Sequence, residues 1–431
     1  MKAAPSVIST SRWGPYVVAG VLLLADYLWL SRGLTHPGPG YGPWALSRGI
    51  YDDVIKLTFD HYVRPGHFIH PVPYLDDRIE YPVLLGFTLW LPTWLPGGPA
   101  SWFAATGVLT AAATFGSIAL IRRQHPASVW WIAASPALLL DGAINWDLIG
   151  IVFLVGGVVW FGEHRYRLSG ASTAVGTFFK LFPVVVAPMA LSALGSRWWH
   201  SISRSDRPTG EGRDPGVDGD VNVPGPGRNL VRWLVPFTVI SVVVAVPFLV
   251  LAPSNTLWFV RFNSIRPQKD SIWEVKFLAD SAVGNHIINT ASLLVVVAAM
   301  AYGAWMVWRT PVHHQARAVS LATAMVVIVW MAVNKIWNPQ YVLWVFAVGA
   351  LAAIPARFGV ALGALSVYDF TFEFVIRRPD VHASYAWVGW LSVLARTVLF
   401  VLMAKWAVDE LRRQLIPVRS PSEGTRAHAA S

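Results

Sequence analysis

Apolar segments separated by short polar or basic loops constrain this chain more than any other feature. Hydrophobic residues make up 55% of the 431 residues and charged residues only 13%, about half the charge of a typical soluble domain. We therefore predict an all-α polytopic membrane protein with about ten full spans. These are residues 15–30, 100–121, 128–144, 146–161, 231–251, 287–308, 319–333, 341–354, 360–375 and 386–407.

Basic residues next to the spans predict the orientation, because cytoplasmic loops are enriched in lysine and arginine. Arg122 and Arg123 follow one predicted span, and Arg165 and Arg167 follow another. No small-residue cleavage site follows residues 15–30, which we interpret as a retained span that begins inside. This arrangement predicts a multi-pass plasma-membrane protein with outward loops at 32–99, 252–285 and 334–340. The arginine-rich loop 195–229 and the tail 409–431 are predicted to be cytoplasmic and flexible.

Residues 168–194 are long enough to cross once, but a single crossing would place loop 195–229 outside. The conflict disappears if Lys180-Leu181-Phe182-Pro183 breaks the helix, since proline removes a backbone donor and disfavours helix at the residue before it. We predict a re-entrant hairpin with Lys180 near its tip, facing a cavity. The alternative for Lys180 is a lysine that extends to the membrane surface. Residues 83–95 are too short to span and predict a juxtamembrane helix on the outer face.

The first outer loop carries the candidate catalytic acid. Ile50, Val54 and Leu57 or Thr58 follow a helical period, with Asp52 and Asp53 near the helix start. Four residues separate Asp52 from Lys56, so the two can pair, which leaves Asp53 as the freer carboxylate and a candidate general base. The alternative is a solvated loop with an ordinary acid at a helix N-terminus.

Other charged residues are predicted to lie on the same outer side, where basic residues run against the usual bias. An anionic ligand would explain these outer basic residues; the alternative is that long loops escape the positive-inside bias. Asn145-Trp146-Asp147 could instead cap a helix, and Glu80 could be a first-turn acid. His61, His67 and His70 match no metal-ligand spacing, and the chain has no cysteine. We predict neither a metal nor nucleic acid, since a net charge of +10 suits basic loops and anionic lipids. The basic residues are Arg261, Arg266, Lys269, Lys276, Lys335, Arg377 and Arg378.

Several short motifs resemble, in order, those of the family 87 glycosyltransferases, which are actinobacterial membrane enzymes that include polyprenyl-phosphate-mannose-dependent mannosyltransferases. The resemblance covers most of the chain, although each motif is weak by itself. The motifs are Tyr51-Asp52-Asp53-Val54, Pro73-Tyr74-Leu75-Asp76, Glu80-Tyr81-Pro82-Val83-Leu84, Asn145-Trp146-Asp147-Leu148, Lys180-Leu181-Phe182-Pro183, Arg261-Phe262-Asn263, Ser271-Ile272-Trp273, Asn334-Lys335 and Pro339-Gln340-Tyr341-Val342-Leu343-Trp344.

The resemblance implies a single glycosyltransferase domain over residues 1–431 with the type-C fold. It implies an aspartate in the first outer loop, Asp53 here, that activates an acceptor glycolipid or polysaccharide. The family usually has serine where this chain has Asp52. The donor would be a polyprenyl-phosphate sugar, mannose or arabinose, and no cofactor is implied. The substrate-binding candidates are Tyr51, Asp52, Glu80, Tyr81, Asn145, Asp147, Lys180, Arg261, Arg266, Lys335 and Gln340. A transporter or flippase of a lipid-linked sugar is the alternative function.

Overall fold

Helices form most of the architecture in this computed structural model, which describes residues 12–36, 38, 40–64, 67–205, 225–274, 281–376 and 386–415. The N-terminal half contains α1 (Gly14–Leu30), α2 (Tyr41–Leu46), α3 (Asp53–Tyr62), α4 (Val83–Trp90), α5 (Gly98–Gln124), α6 (Trp130–Ala133), α7 (Pro136–Leu140), α8 (Asp147–Gly162), α9 (Tyr166–Phe179) and α10 (Val186–Ser205). The C-terminal half contains α11 (Pro226–Leu251), α12 (Pro253–Thr256), α13 (Trp258–Ile265), α14 (Ala282–Arg309), α15 (Gln315–Val333), α16 (Val342–Leu351), α17 (Ala356–Thr371) and α18 (Ala386–Gln414). Strands β1 (Val63–Arg64) and β2 (His67–Phe68) form a short antiparallel ribbon.

Several helices are long and apolar enough to cross a membrane, which confirms the prediction of a helical membrane protein at this level. Within the described residues, six helical stretches meet both conditions: Gly14–Thr35, Gly98–Gln124, Pro226–Leu251, Ala282–Arg309, Val312–Val333 and Trp387–Gln414. Shorter apolar helices lie at Val83–Trp94, Asp147–Gly162 and Pro339–Leu351. The first of these covers residues 83–94 of the segment 83–95 that we predicted to be too short for a crossing.

The short helices α8 and α16 lie inside the bundle. Every residue of α16 is buried, and most of α8 is buried as well. Their side chains join one large hydrophobic cluster with α5, α10, α15 and α18. Because protein surrounds these two helices, their backbones need not match the thickness of a lipid layer.

The span predicted at residues 128–144 is not one continuous helix, so this prediction is wrong in its local structure. The stretch divides into α6 and α7, with the bend at Ala134 and Ser135. Ser135 caps α7 through a hydrogen bond from the Ala137 backbone N–H, and Pro136 occupies the first turn. Proline favours a first helical turn but disfavours helix at the residue before it, which accounts for the division.

The predicted break at Lys180 is present. Helix α9 ends at Phe179, Lys180 has an extended backbone, and a 3₁₀ turn at Phe182–Val185 leads into α10. Arg197 Nη1 in α10 donates a hydrogen bond of 2.7 Å to the hydroxyl of Tyr166, where α9 begins. Helices α9 and α10 thus converge at the end of the bundle far from Lys180.

Close packing of α11 against α9 holds this broken stretch in the bundle. A Cβ atom at Gly170 would lie 2.2 Å from the Trp233 carbonyl oxygen, so only glycine permits this approach. The Trp233 indole N–H donates to Ser169 Oγ at 3.0 Å. The contact lies near the N-terminal ends of both helices.

A separate layer covers the end of the bundle that carries Asp53, Asp147 and Lys180, which we call the site end. Helices α2, α3 and α4 and their loops form a second hydrophobic cluster there. The cluster includes the predicted stripe of Ile50, Val54 and Leu57, and Thr58 beside them is also buried. The layer is joined to the bundle by a hydrogen bond of 3.0 Å from the Asp53 backbone N–H to the Ile144 carbonyl.

Some predicted features lie outside the described residues. These are Lys276, Arg377, Arg378, the central part of the predicted cytoplasmic loop at 206–224 and the end of the tail at 416–431.

Candidate functional site

Asp52 caps helix α3. Its Oδ1 accepts hydrogen bonds from the backbone N–H groups of Val54 at 2.6 Å and Ile55 at 3.1 Å. The predicted pairing with Lys56 is wrong, because Asp52 precedes the helix with an extended backbone and therefore lacks helical i,i+4 geometry. Lys56 instead pairs with Asp60 one turn later, at 2.5 Å. Asp52 is fully buried, and burial raises its pKa well above the usual value.

Asp53, the first residue of α3, is oriented by two side chains. Its Oδ1 accepts a hydrogen bond of 2.9 Å from the Tyr51 hydroxyl, and its Oδ2 accepts one of 2.9 Å from Asn145 Nδ2. We predicted Asp53 to be the freer of the two carboxylates, and with respect to hydrogen bonds this prediction is wrong. Both oxygens of Asp53 accept a hydrogen bond, whereas Asp52 Oδ2 has no partner in the described part of the chain. Asp53 is nonetheless accessible, because its carboxylate lies in the wall of a large cavity.

Asn145 connects the acid to a buried cation. Its Nδ2 donates to Asp53 Oδ2 and, at 3.0 Å, to the Tyr81 hydroxyl. Its Oδ1 accepts a hydrogen bond of 2.9 Å from Lys180 Nζ. An ammonium can only donate, so Lys180 fixes the orientation of the amide and directs its N–H groups toward Asp53.

The break between α9 and α10 places Lys180 against Asp147. Lys180 Nζ lies 3.1 Å from Asp147 Oδ1, and both side chains are almost completely buried. The Trp344 indole N–H donates to the same oxygen at 2.9 Å. Lys180 Nζ also lies 4.6 Å from the centre of the Tyr81 ring, within the range of a cation–π contact. Asp147 therefore acts as a buried counter-ion as well as a first-turn acid of α8.

A cavity of about 760 Å³ opens beside Asp53, within the range typical of small-molecule sites. Seven of the predicted residues line it: Tyr51, Asp53, Glu80, Tyr81, Lys180, Arg266 and Gln340. The structure also adds polar lining residues that we did not include among the site residues: Lys56, Asp60, Asn263, Lys269, Asn334, Asn338, Tyr341 and Glu373. Asn338 and Tyr341 lie within two residues of the predicted Gln340. The polar residues of that loop could therefore have indicated that Asn338 and Tyr341 also line the cavity.

Opposed effects set the protonation of Asp53. Burial raises its pKa, while the hydrogen bonds from Tyr51 and Asn145 and the charges of Lys180 and Arg266 lower it; the net direction is upward. Both carboxylate oxygens keep lone pairs beyond those used by Tyr51 and Asn145. Asp53 can therefore accept a further proton from a group bound in the cavity.

The cations of the cavity differ in how far they are already neutralised. Lys269 pairs with Glu373, and Lys180 contacts Asp147. Among the described residues, Arg266 has no carboxylate partner; its guanidinium lies 5.1 Å from the Phe262 ring. Arg266 is therefore the cation best placed to bind an anionic group.

Five predicted residues are not among those that line the cavity: Asp52, Asn145 and Asp147, described above, and Arg261 and Lys335. Arg261 lies on the exposed surface of α13. Lys335 is buried, and its Nζ donates hydrogen bonds of 3.0 Å to the Ser264 carbonyl and to Asn285 Oδ1. Burial, assisted by the charge of Arg266, lowers the pKa of Lys335 to about 8. Lys335 thus joins α13 to α14 instead of lining the cavity.

His61 belongs to an acid–histidine–acid group behind the cavity. Its Nδ1 lies 2.6 Å from Asp77 Oδ2, and its Nε2 lies 3.6 Å from Oε2 of the cavity residue Glu80. Burial lowers the pKa of His61, but the two carboxylates outweigh burial and raise the pKa to about 9. His70 lies apart, hydrogen-bonded to Thr93 and stacked on Trp94, and the His67 side chain is outside the described atoms. No group of three or more potential ligands within the described residues could hold a metal ion.

The fold and the cavity define a helical protein embedded in a membrane, with a polar, charged cavity at one end of its bundle. Comparison with protein-family models gives no match, and comparison with curated proteins gives no significant match.

Proposed function

We propose that this protein is an inverting glycosyltransferase that moves a sugar from a polyprenyl-phosphate donor to a glycolipid or polysaccharide acceptor. The observation that carries the proposal is the doubly hydrogen-bonded carboxylate of Asp53 at a cavity of about 760 Å³ that also contains Arg266 and Lys180. A general base must lie where its substrate binds, and a phosphate leaving group requires cations in the same place.

The proposed chemistry is a single displacement. An acceptor hydroxyl attacks the anomeric carbon while the bond from that carbon to the phosphate oxygen breaks, and the configuration is inverted. Asp53 takes the hydroxyl proton, and the lipid phosphate leaves with the bonding electron pair. Tyr51 and Asn145 orient Asp53 through both of its oxygens, so the base needs little reorganisation during the reaction.

The departing phosphate would be bound by Arg266, with Lys180 as a second donor. The guanidinium of Arg266 has no carboxylate partner in the described part of the chain and can form paired hydrogen bonds with phosphate. Lys180 is also hydrogen-bonded to Asn145, so donor binding and orientation of the base would be coupled. Glu80, Tyr81 and Gln340 line the remaining wall and would contact sugar hydroxyls.

We further propose the type-C architecture with about ten spans, with α9 and α10 as a re-entrant hairpin and the site end facing outward from the plasma membrane. The contact between Arg197 and Tyr166 supports the hairpin, because it joins α9 and α10 at the end away from Lys180. Arg122, Arg123 and Arg165 lie at that same end, which suits a cytoplasmic side. The sugar remains mannose or arabinose, with mannose as the first choice from the resemblance.

Movement of a lipid-linked sugar across the membrane is a second candidate function. The observation that favours it is the broken helix at Lys180 beside a large cavity, since transporters often place substrate sites at broken helices. The cavity residues Asp53 and Glu80 have no assigned task in that function.

The test uses the purified full chain in liposomes, with radiolabelled polyprenyl-phosphate mannose and a membrane-lipid extract as acceptor. We expect label in a new glycolipid, and its formation about 100-fold or more slower with the variant Asp53→Asn. Label that crosses the membrane without transfer would instead favour the flippase. The corresponding arabinose donor, run in parallel, distinguishes the two sugars.

A further inference from the structure

A second groove lies at the site end, separated from the main cavity by α2. It has a volume of about 410 Å³ and is lined by Arg32, Thr35, Trp44, Ser47, Arg48 and Ile50. The Trp44 side of α2 faces this groove, while Gly42 and Pro43 line the main cavity. None of the groove residues is used in the proposed sugar transfer.

Two tryptophans hold the arginines of this groove in place. The Arg32 guanidinium carbon lies 3.5 Å from the centre of the Trp29 ring, and that of Arg48 lies 4.8 Å from the centre of the Trp44 ring. The Trp29 indole N–H donates to the Gly49 carbonyl at 2.8 Å, which fixes the end of α1 against the segment after α2. These contacts hold the walls of the groove in place without a ligand, so the groove is preorganised for binding.

Both guanidinium groups retain donors for a ligand. Toward the described residues, Arg32 donates only through Nε, to the Trp29 carbonyl, and Arg48 only through Nη1, to the Trp44 carbonyl and Ser47 Oγ. In the described part of the chain neither arginine is paired with a carboxylate. The free N–H groups of two exposed arginines suit the oxygens of a phosphate, which guanidinium groups bind through paired hydrogen bonds.

An exposed apolar stripe on α1 leads to this group. Val17, Val21, Leu24 and Leu28 are all more than half exposed, and their spacing of three or four residues places them on one helix face. Arg32 follows Leu28 by four residues and continues that face into the 3₁₀ turn Ser31–Thr35. From Val17 to Leu28 the stripe rises roughly 16 Å, close to the roughly 15 Å of one bilayer leaflet.

We propose that the groove binds the phosphate of an anionic phospholipid, whose acyl chains lie along the α1 stripe. The stripe favours a lipid phosphate over a soluble phosphate ion as the ligand, because the stripe is apolar, exposed and one leaflet long. Trp29 and Trp44 suit the headgroup level, where tryptophan is enriched. The inference is independent of sugar transfer, which is not measured in its test.

The experiment titrates the full-length protein in detergent with phosphatidylglycerol or with phosphatidylcholine of the same acyl chains, and counts bound lipids by native mass spectrometry. We expect the wild type to hold one more phosphatidylglycerol than the double variant R32Q/R48Q, and each single variant to weaken that binding about tenfold. Phosphatidylcholine should bind the wild type and the double variant alike.

The variant Arg78→Gln is the matched control. Arg78 is also exposed and lies over a tryptophan, 4.2 Å from the centre of the Trp258 ring, but it is outside the groove, so its variant should bind like the wild type. Equal uptake of phosphatidylglycerol by R32Q/R48Q and the wild type would overturn the proposal. Displacement of the lipid by millimolar inorganic phosphate would also overturn it and assign the groove to a soluble anion. If the double variant does not fold, the single variants give the same decision.

Discussion

At the scale of single residues, Asp53 accepts hydrogen bonds from two donors, keeps further lone pairs and lines the cavity. The Tyr51 hydroxyl can reverse and accept a hydrogen bond, while Asn145 Nδ2 can only donate. An asparagine at position 53 could therefore satisfy both neighbours, with its amide N–H toward Tyr51 and its oxygen toward Asn145. The substitution would remove the base and leave the local structure intact.

We expect Asp53→Asn to fold and bind donor but to lose about 100-fold or more in transfer rate. Asp52→Asn is the matched control: it alters the neighbouring acid, and asparagine is an equally good helix cap. Because burial favours the neutral form of Asp52, loss of its charge should cost little. The measurement is single-turnover transfer of labelled sugar. A slow Asp52→Asn with a fast Asp53→Asn would reverse the assignment.

His61 makes the stability of the site end depend on pH. Its pKa is raised from 6.5 to about 9 in the folded protein, so the protonated form stabilises the fold. This contribution, up to about 3 kcal/mol, is fully present below pH 6.5 and is lost as the pH rises through about 9.

We expect the unfolding temperature of the wild type to fall by several degrees between pH 6.5 and 10, relative to His61→Gln, which lacks the imidazolium. Thermal unfolding in detergent at a series of pH values measures the difference. His36→Gln, an exposed histidine stacked on Trp44, is the control and should follow the wild type. Parallel pH profiles for wild type and His61→Gln would contradict the expectation.

At the scale of elements, Lys335 positions helix α13. Its ammonium and the amide of Asn285 meet at the Ser264 carbonyl, so the segment after α15, the start of α14 and the end of α13 are tied at one point. Helix α13 supplies Phe259 and Asn263 to the cavity wall, and Arg266 follows its last residue. A change at Lys335 therefore acts on the cavity through α13.

We expect Lys335→Met to increase hydrogen exchange across residues 258–265, because it removes a buried ammonium that donates to two acceptors. A hydrogen bond from a charged group contributes about 1.5–3 kcal/mol to stability. Donor affinity should fall less than in Arg266→Gln, for which we expect a loss of about tenfold or more. Hydrogen–deuterium exchange and donor titration of the two variants measure both effects. Unchanged exchange in α13 together with a large affinity loss would return Lys335 to the binding site.

At the scale of the whole molecule, the proposed topology makes the site end accessible from outside the cell. The chain contains no cysteine, so a single introduced cysteine reports its own position. Leu75 is exposed at the site end, and Ser203 is exposed on α10 beyond the contact between Arg197 and Tyr166.

We expect an impermeant thiol reagent to label Leu75→Cys in intact cells, and Ser203→Cys only after the membrane is opened. A re-entrant α9–α10 returns the chain to the side on which α9 began, which is the reason for the second expectation. Labelling of Ser203→Cys in intact cells would contradict the hairpin and show that this stretch crosses the membrane once.

The sequence alone determined the helical membrane class, the break at Lys180 and the buried stripe of α3. These features depend on local causes: runs of apolar side chains, a proline at position 183 that lacks a backbone donor and lies in the first turn of the next 3₁₀ helix, and a period of 3.6 residues. Even so, local patterns gave a wrong partner for Lys56, which pairs with Asp60, and a wrong continuous span at residues 128–144, where Pro136 begins a new helix. The sequence contains the proline, but a run of apolar residues indicates only the length of a span and not the position at which its helix bends.

Only the tertiary structure decided which polar groups meet. Asn145 is 92 residues from Asp53 and 35 from Lys180 along the chain, and no local period relates them. The different tasks of Asp52 and Asp53 follow from where α3 begins, and the tie made by Lys335 follows from the packing of α13 on α14. Hydrogen bonds need a donor and an acceptor within about 3 Å of each other, and for residues this far apart in the chain only the packing of the helices sets that distance.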